Sequence, residues 1–177
     1  MAGRSWTGLV FVGTSVDGFL AREDGDLEWL TSRGEAAGDA GYSDFNATID
    51  TMLVGRSTYE TVDAFGSWPY EGKRVVVLST SLDAGADDRI SVVRSLDEAA
   101  ALLRDRGAQR VYIDGGRTIQ ACLSAGWVDE LTLSHVSVLL GSGAPLFGPL
   151  PQDVDLEHVR TEVLGGGMVQ TTYRVAR

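Results

Sequence analysis

Three short stretches of the chain carry residue types that bind anions. In "VGRSTYE", Gly55 turns out of an apolar run, and Arg56, Ser57 and Thr58 open a helical pattern. In "VLSTS", Leu78 closes a strong strand pattern, and Ser79, Thr80 and Ser81 follow at once. In "VYIDGGRTIQACL", Gly115 and Gly116 separate a strand-like run from a helical one that opens on Arg117, Thr118 and Ile119. A helix start offers free N–H groups and the positive end of a dipole, which attract phosphate. For the Gly-Gly step two readings stand: close approach of backbone to a ligand, or a tight turn that needs glycine. Ser57 as a helix cap and Ser79 as a turn residue are the corresponding plain readings. Three such strand ends, two with an arginine, point to a phosphate-bearing small molecule.

Several other chemistries are absent. The sequence holds no GxGxxG, no GxxxxGK[ST] and no GxSxG, which removes the common dinucleotide, P-loop and hydrolase fingerprints. His135 and His158 fall in strand patterns without triad partners and read as structural or surface residues. Cys122 lies among apolar helical residues and reads as an inert buried thiol. One Cys and two distant His do not make a metal site.

The elements that must position these residues follow from the pattern. Strands are expected at 6–13, 51–54, 74–80, 90–93, 110–113, 130–140, 156–164 and 168–175. The valine run in "RVVVLST" fits a strand buried on both faces of a parallel sheet. Helices are expected at 39–49, 55–65, 95–106 and 117–125. The third opens on a capping box, Ser95 with Glu98 three residues on, and Gly107 stops it. "TSVDGFLAREDGDLEWL" carries two Asp-Gly steps and reads as a long loop. "GGG" at 165–167 marks a hairpin. The alternation predicts one α/β domain over 1–177, mostly parallel with an antiparallel C-terminal strand.

Composition agrees with a globular enzyme-sized chain. It has 177 residues, 44% of them hydrophobic, and a net charge of −10. That charge argues against a nucleic-acid partner. No run reaches the length of a membrane span, and the first residues lack a signal-peptide pattern, so a cytoplasmic location is expected.

"SVDGFLAREDGDLEWL", "VGRSTYETV", "VVLST", "VYIDGGRTIQACLSAGWVDEL" and "LLGSGAPLFG" together resemble the dihydrofolate reductase-like superfamily. They are most similar to its stand-alone bacterial members related to the reductase domain of the bifunctional riboflavin-pathway deaminase-reductase. The resemblance runs from about Trp6 to Val175. It implies a three-layer fold with an eight-stranded central sheet and helices on both faces. It also implies NADPH as cofactor and hydride transfer to a heterocycle or carbonyl, for instance a 5-amino-6-(5-phosphoribosylamino)uracil-type pyrimidine. Carried over by position, Gly55, Arg56, Ser57 and Thr58 lie beside the cofactor pyrophosphate, with Arg56 near the 2′-phosphate. Leu78, Ser79 and Thr80 grip the adenosine end. Gly115 and Gly116 lie beneath the pyrophosphate, with Arg117, Thr118 and Ile119 adjoining. Gly13, Thr14, Ser15, Asp17 and Gly18 match the segment around the nicotinamide and substrate mouth.

Two departures are visible. The acid that dihydrofolate reductases carry on the first helix falls near Gly41, with Asp39 and Asp44 out of register. The lysine of riboflavin-pathway reductase domains has no counterpart in "TGLVFVGTS". The sequence reading therefore makes Asp17 the candidate for proton delivery or substrate contact, beside its plain role in an Asp-Gly turn. Trp29, Tyr42, Phe45 and Trp68 are candidates for pocket walls, or for core. A homodimer through C-terminal strands is expected. A nucleotide-binding sensor or a non-catalytic dimer on the same fold stands as the alternative.

Overall fold

The run Arg74–Leu78 sits where its composition requires, in the interior of a sheet covered on both faces, with Val75, Val76 and Val77 buried. The computed structural model describes residues 4–85 and 87–176; the ends of the predicted domain, residues 1–3 and 177, and Ala86 lie outside the described residues. In chain order the elements are β1 (Thr7–Ser15), β2 (Phe19–Ala21), α1 (Glu28–Gly34), α2 (Tyr42–Ala47), β3 (Thr51–Gly55), α3 (Arg56–Asp63), β4 (Arg74–Leu78) and β5 (Ile90–Val93). They continue as α4 (Leu96–Asp105), β6 (Arg110–Asp114), α5 (Gly116–Ser124), β7 (Glu130–Val136), β8 (Ala144–Pro145), β9 (Leu156–Val163) and β10 (Val169–Val175).

Eight strands form the main sheet in the order β5-β4-β3-β6-β1-β7-β10-β9. The pairings from β5 to β7 are parallel, and β10 runs antiparallel to both β7 and β9. β2 and β8 pair separately as a short ribbon. Helices cover both faces. Ala99 and Leu103 of α4 and Ile119 and Cys122 of α5 pack with Val10, Leu53 and Ile113 on one side. Tyr59 and Val62 of α3 pack with Leu9, Met52 and Val77 on the other.

The sequence expectations meet two corrections. The stretch read as one long loop after β1 contains β2 and α1. Its Asp-Gly turns are real, with Gly18 and Gly25 at φ 85°, but they bracket elements too short to show a period. α1 begins after Asp26, whose carboxylate accepts the Glu28 N–H at 3.2 Å. β7 stops at Val136, four residues short of the apolar run. Its neighbours end there: β1 closes opposite Val136 and β10 opens opposite His135. The Ser95 cap forms as expected, accepting from the Glu98 N–H at 3.2 Å. The Glu98 carboxylate returns to the N–H of Arg94, at 2.8 Å, one residue earlier than the capping box requires.

Candidate functional site

β3 and β6 are neighbours in the sheet, yet their following helices leave to opposite faces. A crevice must open between such strands at their carboxyl ends, which is where open α/β sheets bind ligands. The crevice is present, as two joined lobes of about 870 and 530 Å³. Ser57, Thr58, Gly115 and Gly116 line both.

The Gly-Gly step has a physical reason beyond a turn. Gly115 lies at φ 94°, closed to most side chains, and a Cβ there would meet the Thr58 hydroxyl at 2.6 Å. Reciprocally, a Cβ on Gly55 would meet the Thr118 hydroxyl at 2.8 Å. Each glycine thus seats the third residue of the opposite helix. The close approach that the glycines permit is between α3 and α5. Its result is two helix N-termini side by side at the crevice, neither with a side-chain cap. α4, by contrast, is capped by Ser95. Uncapped N–H groups and the two dipoles make the shared wall electropositive.

The first lobe extends from this wall past the ends of β4 and β5. Leu78, Ser79, Thr80 and Ser81 line it, as do Arg56, Arg117 and Thr118. Arg94, Ser95 and Gln120 join them, three residues that sequence reasoning missed or read only as a cap. Arg94 Nη1 donates to the carbonyls of Ser79 (2.7 Å) and Leu82 (2.6 Å), so it also shapes the loop after β4. Arg56 is half-exposed, with Glu60 one turn on at 3.6 Å.

The second lobe runs along β1, α1 and α3, flanked by the β2–β8 ribbon. Gly13 lines it, with Phe11, Leu30, Phe65, Tyr112 and Asp114. Asp114 was inside the "IDGG" motif but carried no assigned role; an acid at a strand end, directly before a helix start, was the available signal. Burial pushes its carboxyl up to about 6, against one opposing hydrogen bond from the Gly115 N–H at 2.8 Å. Burial, with the Asp114 charge next, also raises the phenols of Tyr42, Tyr70 and Tyr112. Tyr112 donates to the Phe11 carbonyl at 2.7 Å.

Other predicted site residues lie elsewhere. Thr14 is buried against His135, Oγ1 to Nδ1 3.0 Å. Ser15 accepts the Phe19 N–H at 2.9 Å, and the Gly18 carbonyl accepts from Leu146 at 2.9 Å. Asp17 is exposed and accepts from Leu140 (3.1 Å) and Gly141 (2.7 Å). The Ser15 hydroxyl above all, with help from the Gly141 and Leu140 N–H groups, holds its carboxyl down at about 2 against the opposing effect of burial. These residues fasten the loop after β1 to the loop after β7, rather than facing the crevice. Ile119 is core. Trp29 packs with Val136 and Met168, 2% exposed. Phe45 stacks on Phe11 at 4.7 Å and meets Tyr112 edge-on at 5.0 Å, so it backs the residues that line the lobe. Trp68 packs on Tyr59 and Tyr70 under the Arg89 guanidinium. Asp39 caps α2 through the Gly41 and Ser43 N–H groups, both 3.0 Å.

The profile of the RibD C-terminal domain family matches residues 7–170. A putative riboflavin biosynthesis protein from Shewanella sp. PV-4 superposes with TM-score 0.87 at 35% identity, over 97% of this chain and 99% of that one. The Thermotoga maritima diaminohydroxyphosphoribosylaminopyrimidine deaminase/5-amino-6-(5-phosphoribosylamino)uracil reductase matches with TM-score 0.74 at 15% identity, over 97% of this chain and 57% of that one. Dihydrofolate reductase from Enterococcus faecalis, complexed with NADP(H), matches with TM-score 0.69 at 19% identity, over 97% of both chains. The fold is that of the dihydrofolate reductase-like superfamily. Among the described residues no helix is long and apolar enough to cross a membrane.

Proposed function

Because the chain belongs to the RibD C-terminal domain family, we propose that it is a reductase that binds NADPH along the first lobe and reduces a small heterocyclic or carbonyl compound in the second. The observation that carries this reading is the shared wall: two uncapped helix starts flanked by Arg56, Arg94 and Arg117, with no carboxylate among the described residues that line that lobe. Such a donor set suits a pyrophosphate with a further phosphate near a guanidinium. The hydroxyls of Ser79, Thr80 and Ser81 suit the ribose end. Bound NADPH would supply a hydride, with its two electrons, to the electrophilic carbon of a C=N or C=O group.

The chain's own residues would do the rest. Gly13 and Phe11 floor the second lobe, and the β2–β8 ribbon shields one side, so the reacting atoms are oriented and partly dried. Asp114 in its protonated form would donate the balancing proton to the substrate nitrogen or oxygen, and would be reprotonated by water. An aminopyrimidine ring of the kind in the name of the Thermotoga relative is one candidate substrate. The sequence-predicted Asp17 becomes a loop clip in this reading. The whole 1–177 chain would form a single reductase domain acting as a homodimer, paired through the outer edge of β9, whose residues are exposed on both faces.

The test is loss of NADPH absorbance on adding pterins, aminopyrimidines and quinones in turn. Turnover by wild type that collapses in Asp114→Asn supports the proposal. NADPH binding without turnover of any compound would favour a nucleotide sensor instead.

A further inference from the structure

The two lobes differ in charge. Among the described residues, three guanidinium groups and no carboxylate face the first. The second has the opposite balance: Glu23 and Asp114 stand in its lining, and Arg22 is the only cation there among the described residues. Arg22 is half-exposed and turned to Asp26, at 3.4 Å. Most of the remaining wall is apolar or hydroxyl-bearing, and Phe65 stands 63% exposed among the lining residues. The helix starts border both lobes, but the arginines that would complete a phosphate site lie on the cofactor side.

On the reading that the first lobe holds NADPH, we infer that the substrate is an uncharged, planar ring compound that carries no phosphate. A phosphate dianion in a lobe of about 530 Å³ would share it with two carboxylates. Even with Arg22 turned inward, one cation faces two carboxylates among the described lining residues, so Coulomb repulsion and lost hydration would both oppose entry. The raised carboxyl of Asp114 is an independent sign that no positive charge compensates this region. A flat ring meets the lobe's other features: an exposed aromatic face on Phe65, and a carboxyl that can donate to a ring carbonyl or accept from a ring N–H.

The experiment begins by titrating the protein with NADPH alone. With NADP+ saturating, it is then titrated with 5-amino-6-(5-phosphoribosylamino)uracil and with the same compound after its phosphate is removed. The dephosphorylated probe should bind at least tenfold more tightly. Equal or tighter binding of the phosphorylated probe, or binding of neither, overturns the inference and leaves the reductase reading standing. Failure of NADPH to bind in the first step overturns both. Glu23→Arg, which reverses one charge of the lobe, should shrink the preference at least threefold; an unchanged ratio would also overturn the inference.

Discussion

A carboxyl held at about 6 changes its protonation across the pH range of ordinary assays, and Asp114 is such a group in the cleft. If its protonated form delivers the proton, turnover falls as pH rises through about 6, and Asp114→Asn both loses that inflection and lowers kcat by roughly 10²–10⁴. NADPH affinity stays nearly unchanged in the variant. A pH series of kcat for both proteins checks this. Stability should fall in the same direction, over a lower window. Between about pH 4 and 6 the folded chain keeps a proton that the unfolded chain releases, so the stability this group contributes falls as pH rises through that window. Removing the charge should therefore stabilise the protein above pH 6, by up to about 3 kcal/mol, and hardly at pH 4, as read by urea melts at both values. Arg56 gives a second prediction. Its pairing with Glu60 is half-exposed and weak, so the guanidinium is free to turn to a phosphate. Arg56→Ala should weaken NADPH by roughly 1.5–3 kcal/mol and NADH much less, by fluorescence titration. At this scale the sequence exposed the arginines and hydroxyls of the first lobe, because they cluster at strand ends. Asp114 was visible only as an acid at a strand end before a helix start; its raised carboxyl comes from burial by residues distant in sequence.

At the scale of elements, the cleft depends on how closely α3 approaches α5. Gly115→Ala forces a side chain onto a backbone at φ 94° and onto the Thr58 hydroxyl. The variant should lose roughly 1–3 kcal/mol from the backbone alone and bind NADPH several-fold more weakly, since the helix starts must part. Differential scanning calorimetry and the same titration read both effects. The Asp17 clip predicts a different signature. Asp17→Ala should raise hydrogen exchange at Leu140 and Gly141, whose N–H groups it accepts, while NADPH affinity holds. Because its carboxyl lies near 2, the wild-type clip should not vary with pH between 4 and 9. Long or strongly patterned elements such as β4 and α4 were legible from valine runs and the Ser95 cap. α1, β2 and β8 were not, being seven, three and two residues long. The sequence left the aromatics open between pocket wall and core for a related reason. Trp29, Phe45 and Trp68 have the composition of a pocket lining, but composition alone does not distinguish a pocket wall from the layer behind it.

At the scale of the molecule, the order of strands and helices in the sequence already implied an α/β sheet with an antiparallel end, and the motif resemblance supplied its superfamily. The position of the crevice needed the topology, because it arises where β3 and β6 send their helices to opposite faces. The outer edge of the sheet makes its own prediction. β9 exposes Leu156, Val159 and Val163, and such an edge tends to be paired or covered. The protein should scatter light as a dimer, and Val163→Lys should shift it toward monomer; a wild-type monomer at all concentrations would remove the dimer from the account. The central claim is that the electropositive lobe is a seat for NADPH. The most direct measurement is a titration with NADPH and with NADH, followed by nucleotide fluorescence and by the melting temperature of the protein, which a native-state ligand must raise. The account predicts saturable NADPH binding at least tenfold tighter than NADH, with the difference largely abolished in Arg56→Ala. No binding of either nucleotide, and no shift in melting, would contradict it.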